Sequence, residues 1–337
     1  MNDQIHDDVF AAIDQRRAAR RHFLRYAGSA AAVAGGAVLL SACGDDDDDT
    51  ATPTPSPTPT PTTGVTDIDV LNFALNLEYL EAQFYSWACF GRGLDATLTT
   101  GVGTVGTVTG GALVPFQDTL VGQYAREIAF DEIAHVTFLR NTLGSAAVAM
   151  PAINIDGGAN GAFSAAARAA GLVDAATGVF NPYADDNSFL LGAFIFEDVG
   201  VSAYKGASPL ITNKAYLEAA AGILATEAYH AGLIRTILYR KGLDTPAIAT
   251  NVGRISDARD SLDGTVNAGS VIGDIDQGIT GTGGASNIVP ADSNAIAYSR
   301  TTGQVLNIAY LSKAAVASGG FFPAGVAGNI RTSAANA

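Results

Sequence analysis

The sequence predicts an all-α protein: a four-helix bundle with a long crossover between its second and third helices and an irregular C-terminal extension. Three observations carry this expectation. Four segments have helical period and no internal proline, and Gly-rich or irregular stretches separate them. Two of the four contain the same pattern, Glu132-Ile133-Ala134-His135 and Glu227-Ala228-Tyr229-His230. Beyond Pro246 the chain turns rich in Gly, Ser, Asn and Asp, and only residues 304–317 suggest another amphipathic piece.

The N-terminal residues read as an address rather than a fold. Arg20-Arg21-His22-Phe23-Leu24-Arg25 resembles the twin-arginine signature of bacterial export, and the apolar run 27–40 has the length of a signal core, too short for a bilayer span. Residues 1–42 are therefore expected to be a signal peptide. Leu40-Ser41-Ala42-Cys43-Gly44 resembles a lipobox, which makes Cys43 a lipid anchor to a membrane. Five aspartates and a Thr/Pro alternation follow, a composition that stays extended, so residues 43–64 form a tether. The expected location is periplasmic or cell-envelope, lipid-anchored. With Cys43 so used, Cys89 stands alone and no intramolecular disulfide forms.

Residues 65–243 make up the bundle. The first helix, 67–89, has apolar residues at Leu71, Ala74, Leu75, Leu77, Leu80 and Phe84, and Gly91 ends it. A Gly/Thr-rich stretch to Gly111 reads as loop or irregular hairpin, long enough to cover one end of the bundle. The second helix, 115–143, stops at Gly144, and 145–187 reads as a crossover with a short alanine-rich piece at 162–170. The third helix runs 186–204 and the fourth 213–240, stopped at Gly242. Helices of roughly 20 to 29 residues span about 30 to 43 Å. Residues 244–337 form the extension, and Gly319-Gly320-Phe321-Phe322-Pro323 is too apolar to stay off the bundle.

Charge narrows the function. Asp plus Glu number 33 against 19 Lys plus Arg, a balance that argues against a nucleic-acid partner.

The chemistry lies in the histidines. His6 and His22 fall in the signal segment, so the mature chain keeps only His135 and His230, each three residues after a glutamate. On a helix that spacing places carboxylate and imidazole on one face. A single Glu-x-x-His is common on exposed helices; two copies using every mature histidine are not. Glu197 sits in an otherwise apolar or small run broken only by Asp198 and Ser202, so its carboxylate points inward and needs a cation or a proton. In the first helix either Glu78 or Glu81 serves; Glu78 is preferred because Tyr85 then lies two turns away, able to donate to a ligand carboxylate. The expected metal ligands and catalytic residues are Glu78, Glu132, His135, Glu197, Glu227 and His230. Four carboxylates and two imidazoles favour two Fe or Mn ions over zinc or copper. Asp131 and Asp198 are placed to accept the outer N–H of the histidines. Tyr85, Tyr204 and Tyr229 are candidates to line the site, although ordinary core packing is the commoner fate of a bundle tyrosine.

This ligand order resembles the ferritin-like superfamily of di-iron and di-manganese carboxylate bundles, in which single glutamates from two helices join Glu-x-x-His from the other two. Asn76-Leu77-Glu78 with Tyr85 resembles the first ligand helix of ferritins. Tyr298-Ser299-Arg300-Thr301, Val305-Leu306-Asn307-Ile308-Ala309-Tyr310 and the Gly-Gly-Phe-Phe-Pro segment are similar to the desiccation-related branch. The resemblance implies a dinuclear site with redox chemistry toward Fe(II), peroxide or dioxygen in stress protection. Its alternative is a non-catalytic, metal-stabilised protective or binding protein. Tether and extension argue against a closed cage and leave room for a homodimer.

Overall fold

The computed structural model describes residues 64–264 and 275–336. The signal segment, Cys43 and nearly all of the tether lie outside the described residues. Among those described, no helix is long and apolar enough to cross a membrane.

Seven α-helices are present among the described residues: α1 (Asp67–Phe90), α2 (Thr119–Leu143), α3 (Ala162–Ala169), α4 (Asp186–Ala207), α5 (Lys214–Asp244), α6 (Pro246–Asp263) and α7 (Thr302–Tyr310). The all-α expectation holds, with α1, α2, α4 and α5 as the bundle. Local chemistry sets their ends. Thr66 and Asp69 cap α1 reciprocally, and Gly91 closes it at φ 65°, a left-handed conformation that favours glycine. Asp118, Asp185 and Asn213 cap α2, α4 and α5 through side-chain oxygens. Asp118 delays the start of α2, expected at 115. The fourth bundle helix passes through Gly242 to Asp244, because one glycine weakens a helix without breaking it when its neighbours pack.

Helix α1 packs chiefly on α2, and α4 on α5. Cross-helix contacts fix the directions. Tyr85 meets Glu197 and Tyr204 meets Glu78, so α1 and α4 are antiparallel; Tyr79 meets Arg140 and Phe90 meets Phe130, so α1 and α2 are antiparallel too. Helices α2 and α4 therefore run the same way, and the chain must travel the length of the bundle between them, the reason for the crossover.

The 91–111 loop is not a hairpin. Its strand β1 (Val108–Gly110) pairs in parallel with β2 (Ile153–Ile155) of the crossover, and Val102 bridges to Val148. The alternation needed for a self-paired hairpin is missing, and the crossover supplies the partner instead. Asn72 anchors this ply to α1, donating to the Ala146 carbonyl and accepting from Val148 N.

The extension contains a long helix that periodicity did not reveal. Helix α6 starts at Pro246, suited to a first turn, and buries Ile248, Val252 and Ile255, then Arg259 and Asp263. Its inward stripe changes from apolar to charged midway, which hid it. The segment expected at 304–317 is helical only through Tyr310, since Leu311 takes a left-handed conformation at φ 53°. Phe321 and Phe322 are fully buried, Phe321 with its ring 5.0 Å from Phe196 and 5.2 Å from Phe163.

Candidate metal centre

Midway along the bundle the six expected residues converge. Ligand atoms of Glu78, Glu132, His135 and Glu227 form one group and those of Glu132, Glu197 and His230 a second, each within 4.8 Å of one another. Glu132 belongs to both. All six residues are buried.

Each helix presents its side chain by simple register. Glu132 and His135 share a face of α2, Glu227 and His230 a face of α5, and both imidazoles turn Nδ1 inward. Nδ1 of His135 stands 3.1 Å from Glu78 Oε2 and 3.5 Å from both Glu132 Oε2 and Glu227 Oε1. Nδ1 of His230 stands 3.0 Å from Glu132 Oε1 and 3.6 Å from Glu197 Oε2. Both carboxylate oxygens of Glu132 and of Glu227, Oε2 of Glu197 and Nδ1 of His230 are buried without a hydrogen-bond partner. Six such atoms converging at one place are costly unless a cation or protons lie among them. The donor set, hard oxygens with two imidazoles, suits Fe or Mn.

The surrounding residues orient these side chains. Tyr85 donates to Glu197 Oε1, and Tyr204 donates to Glu78 Oε1. Asp131 lies 3.3 Å from Nε2 of His230, a carboxylate partner that fixes which ring nitrogen faces inward. Asp198 does not play that part for a histidine. It accepts from Arg235 Nη1 at 2.7 Å and Arg259 Nη2 at 3.0 Å, because residue 198 lies about 100° round the helix from Glu197 and faces the extension. Tyr229 is 76% exposed and is excluded from the site.

Between Glu78 and Glu81 the geometry divides the roles: Glu78 joins the first group and Glu81 stays outside both. Yet Glu81 is buried beside them, with an oxygen near Gly200 of α4. Gly200 permits close approach, since a methyl group there would overlap Oε2 of Glu227. Both glutamates of α1 therefore face the centre, one as a candidate ligand and one as an added carboxylate.

Electrostatics reflect the crowding. Burial lifts the Glu78 carboxyl to about 7 against the pull of His135, with Glu132 adding to the rise. Burial lifts Glu197 to about 8 against His230, again with help from Glu132. Burial and neighbouring carboxylates hold Glu81 and Glu227 well above the usual range. Burial alone would raise Glu132 too, but the two imidazoles outweigh it and hold this carboxyl far below the ordinary range. Burial opposes charge on the histidines; Glu78 and Glu132 nevertheless raise His135 to about 11, and Glu197 with Asp131 and Glu132 raises His230 to about 10. Apart from Glu132, these groups thus hold protons that an incoming cation would have to displace.

What sequence reasoning missed is a set of buried arginines. Arg235, Arg259 and Arg300 are almost wholly enclosed with Asp198, Asp263 and Asp276. Arg235 also donates to the Gln277, Gly278 and Asn287 carbonyls, and Arg300 to Ser202 Oγ. The available signal was Asp198, a second carboxylate in an apolar run, which required a partner.

Comparison with known proteins agrees with this fold. Residues 66–240 match the family model described as a ferritin-like domain. The chain is similar to the ferritin-like catalase Nec2 of Nesocodon mauritianus, 30% identical over 281 residues that make up 78% of this chain and 84% of that protein. It is also similar to the desiccation-related protein PCC13-62 of Craterostigma plantagineum, 30% identical over 250 residues, 70% of this chain and 75% of that protein. No solved structure matches it significantly.

Proposed function

The chain belongs to the ferritin-like domain family, and from that premise we propose that it is an exported di-metal protein, redox active toward Fe(II), peroxide or dioxygen in stress protection. One observation carries the reading: the buried, unpartnered oxygen and nitrogen atoms of Glu132, Glu197, Glu227 and His230 converge where two cations would satisfy them. Glu78, Glu132, His135 and Glu227 would hold one ion, and Glu132, Glu197 and His230 the other. Bound Fe or Mn supplies one-electron chemistry and Lewis acidity. The residues around it position ligands and hold protons: Tyr85 and Tyr204 fix Glu197 and Glu78, and Asp131 fixes the His230 ring. The similarity to a protein named a ferritin-like catalase supports peroxide as a substrate.

Export by the twin-arginine route and lipid anchoring through Cys43 to the cell envelope complete the proposal, supported by the motifs at residues 20–25 and 40–44. The tether and extension argue against a closed cage and leave room for a homodimer. A second reading, a non-catalytic metal-stabilised protective bundle, draws support from the similarity to a protein named desiccation-related.

Elemental analysis of the soluble chain beside a His135→Ala, His230→Ala double variant tests the proposal. About two Fe or Mn per chain, absent from the variant, is the expected result. Peroxide and dioxygen assays on the loaded protein then separate the readings. Rapid turnover supports the enzyme, and an inert centre supports the protective bundle.

A further inference from the structure

The bundle is packed unevenly along its axis. On one side of the carboxylate cluster, aromatic rings fill the core: Phe84 lies 5.6 Å from Phe189 and 5.5 Å from Phe196, and Tyr85 lies 5.8 Å from Phe189. On the other side is a cavity of about 210 Å³. All four bundle helices line it, through Leu71 of α1, Leu139 of α2, Tyr204 of α4 and Ile223 of α5. Each stands one or two turns from its own helix's candidate ligand: Leu139 follows His135 by four residues, Ile223 precedes Glu227 by four, Leu71 precedes Glu78 by seven and Tyr204 follows Glu197 by seven. The hollow thus adjoins the centre along the bundle axis. Phe138, 43% exposed, stands where it meets solvent.

We propose that this cavity is a binding site for an uncharged, single-ring aromatic molecule. No charged side chain lines it, so an ionic ligand would lose hydration with nothing in return. Dioxygen or peroxide would leave most of the space empty. Apolar cavities of about 150 Å³ accept benzene, whereas sites for larger ligands begin at roughly 300 Å³. The volume here lies between, and Phe138, Tyr204 and Tyr216 offer rings to a ring. Tyr204 is shared: its side chain forms part of the wall, and its phenol donates to Glu78. An occupant would therefore touch the residue that orients a candidate metal ligand. Binding stands on the cavity alone; its bearing on the centre rests on the di-metal reading.

The test is calorimetric titration of p-cresol into the purified chain, with metal content measured on the same sample. Saturable one-to-one binding with Kd of about 1 mM or tighter is expected. Ala219→Phe from α5 and Thr142→Trp from α2 fill the same space from two helices, and each is expected to weaken binding about tenfold or more with the helical spectrum unchanged. Failure of the parent to bind, or unchanged binding in either folded variant, overturns the site. If neither variant folds, nuclear Overhauser contacts from the p-cresol methyl to Phe138 and Ile223 decide, and their absence overturns it as well. Binding to a chain that takes up no metal would retain the site while removing the di-metal reading, so the two failures are distinguishable.

Discussion

Nδ1 of His230 lies 3.0 Å from Oε1 of Glu132, and neither atom has a hydrogen-bond partner. Two acceptors that close and buried repel unless something positive lies between them or one carries a proton. Glu132 meets this condition twice, because its other oxygen faces His135 at 3.5 Å. Glu132→Gln is accordingly expected to lower total metal per chain more than Glu197→Gln, whose parent carboxylate serves only one group. Elemental analysis of the two variants after identical loading checks this; equal losses would contradict a shared role for Glu132.

Asp131 orients His230 from outside the centre. Asp131→Asn keeps the size and leaves the fold intact, but weakens the carboxylate that fixes the ring. Metal affinity is expected to fall about 10- to 100-fold. Competition with a chromophoric chelator measures the change, and an unaltered affinity would show that the 3.3 Å contact does not orient the ring.

On the proposed di-metal reading, proton and metal would compete for the same atoms, which gives the chelated protein a definite pH dependence of stability. Glu78, Glu197, His230 and His135 have folded-state values of about 7, 8, 10 and 11, all above their ordinary ones. Groups raised in this way contribute stability that is complete below their unfolded values and is lost as pH rises through the folded ones. Glu132 has the opposite sign: its contribution is present above its ordinary value and is lost in acid. The chelated protein is expected to unfold at progressively lower temperature from about pH 5 to pH 9. The rise in Tm on adding metal should grow over the same interval. Thermal scans with and without metal test both statements, and a flat difference would sink the second.

Asp198 holds two arginines; Asp198→Ala leaves Arg235 with backbone carbonyls alone, while Arg259 keeps its pair with Asp276 at 2.8 Å. Loss of about 3–5 kcal/mol is expected from uncompensated buried charge. Denaturant unfolding of the variant tests this. A loss below about 1 kcal/mol would mean that the Arg235 guanidinium is satisfied by its backbone carbonyl partners alone.

The bundle and the convergence of the six candidate residues were legible in the sequence because both rest on period. Helical spacing makes Glu132 and His135 neighbours, and apolar flanks turn Glu197 inward, whatever the rest of the chain does. The pairing of residues 108–110 with 153–155 was not legible, since three-residue strands far apart in sequence carry no periodic signal. Helix α6 was missed for a different reason: its buried face ends in Arg259 and Asp263, and hydrophobicity does not register a polar interior. Asp198 and Tyr229 were misassigned from proximity in sequence alone. Adjacent helical residues point about 100° apart, so standing beside Glu197 or His230 guarantees nothing about facing the same way.

That same angular separation gives α4 two masters. Glu197 reaches the centre while Asp198, the next residue, is gripped by Arg259 and by Arg235, which also holds the 277–287 segment. Whatever fixes the helix at one residue restricts it at the other, and thermodynamic linkage makes such an influence mutual. If the centre takes up metal, its filling is expected to slow protease attack on the C-terminal segment, and cutting that segment is expected to weaken the hold on metal. On the proposed di-metal reading, the extension would then be less an appendage than a gauge of whether the centre is loaded.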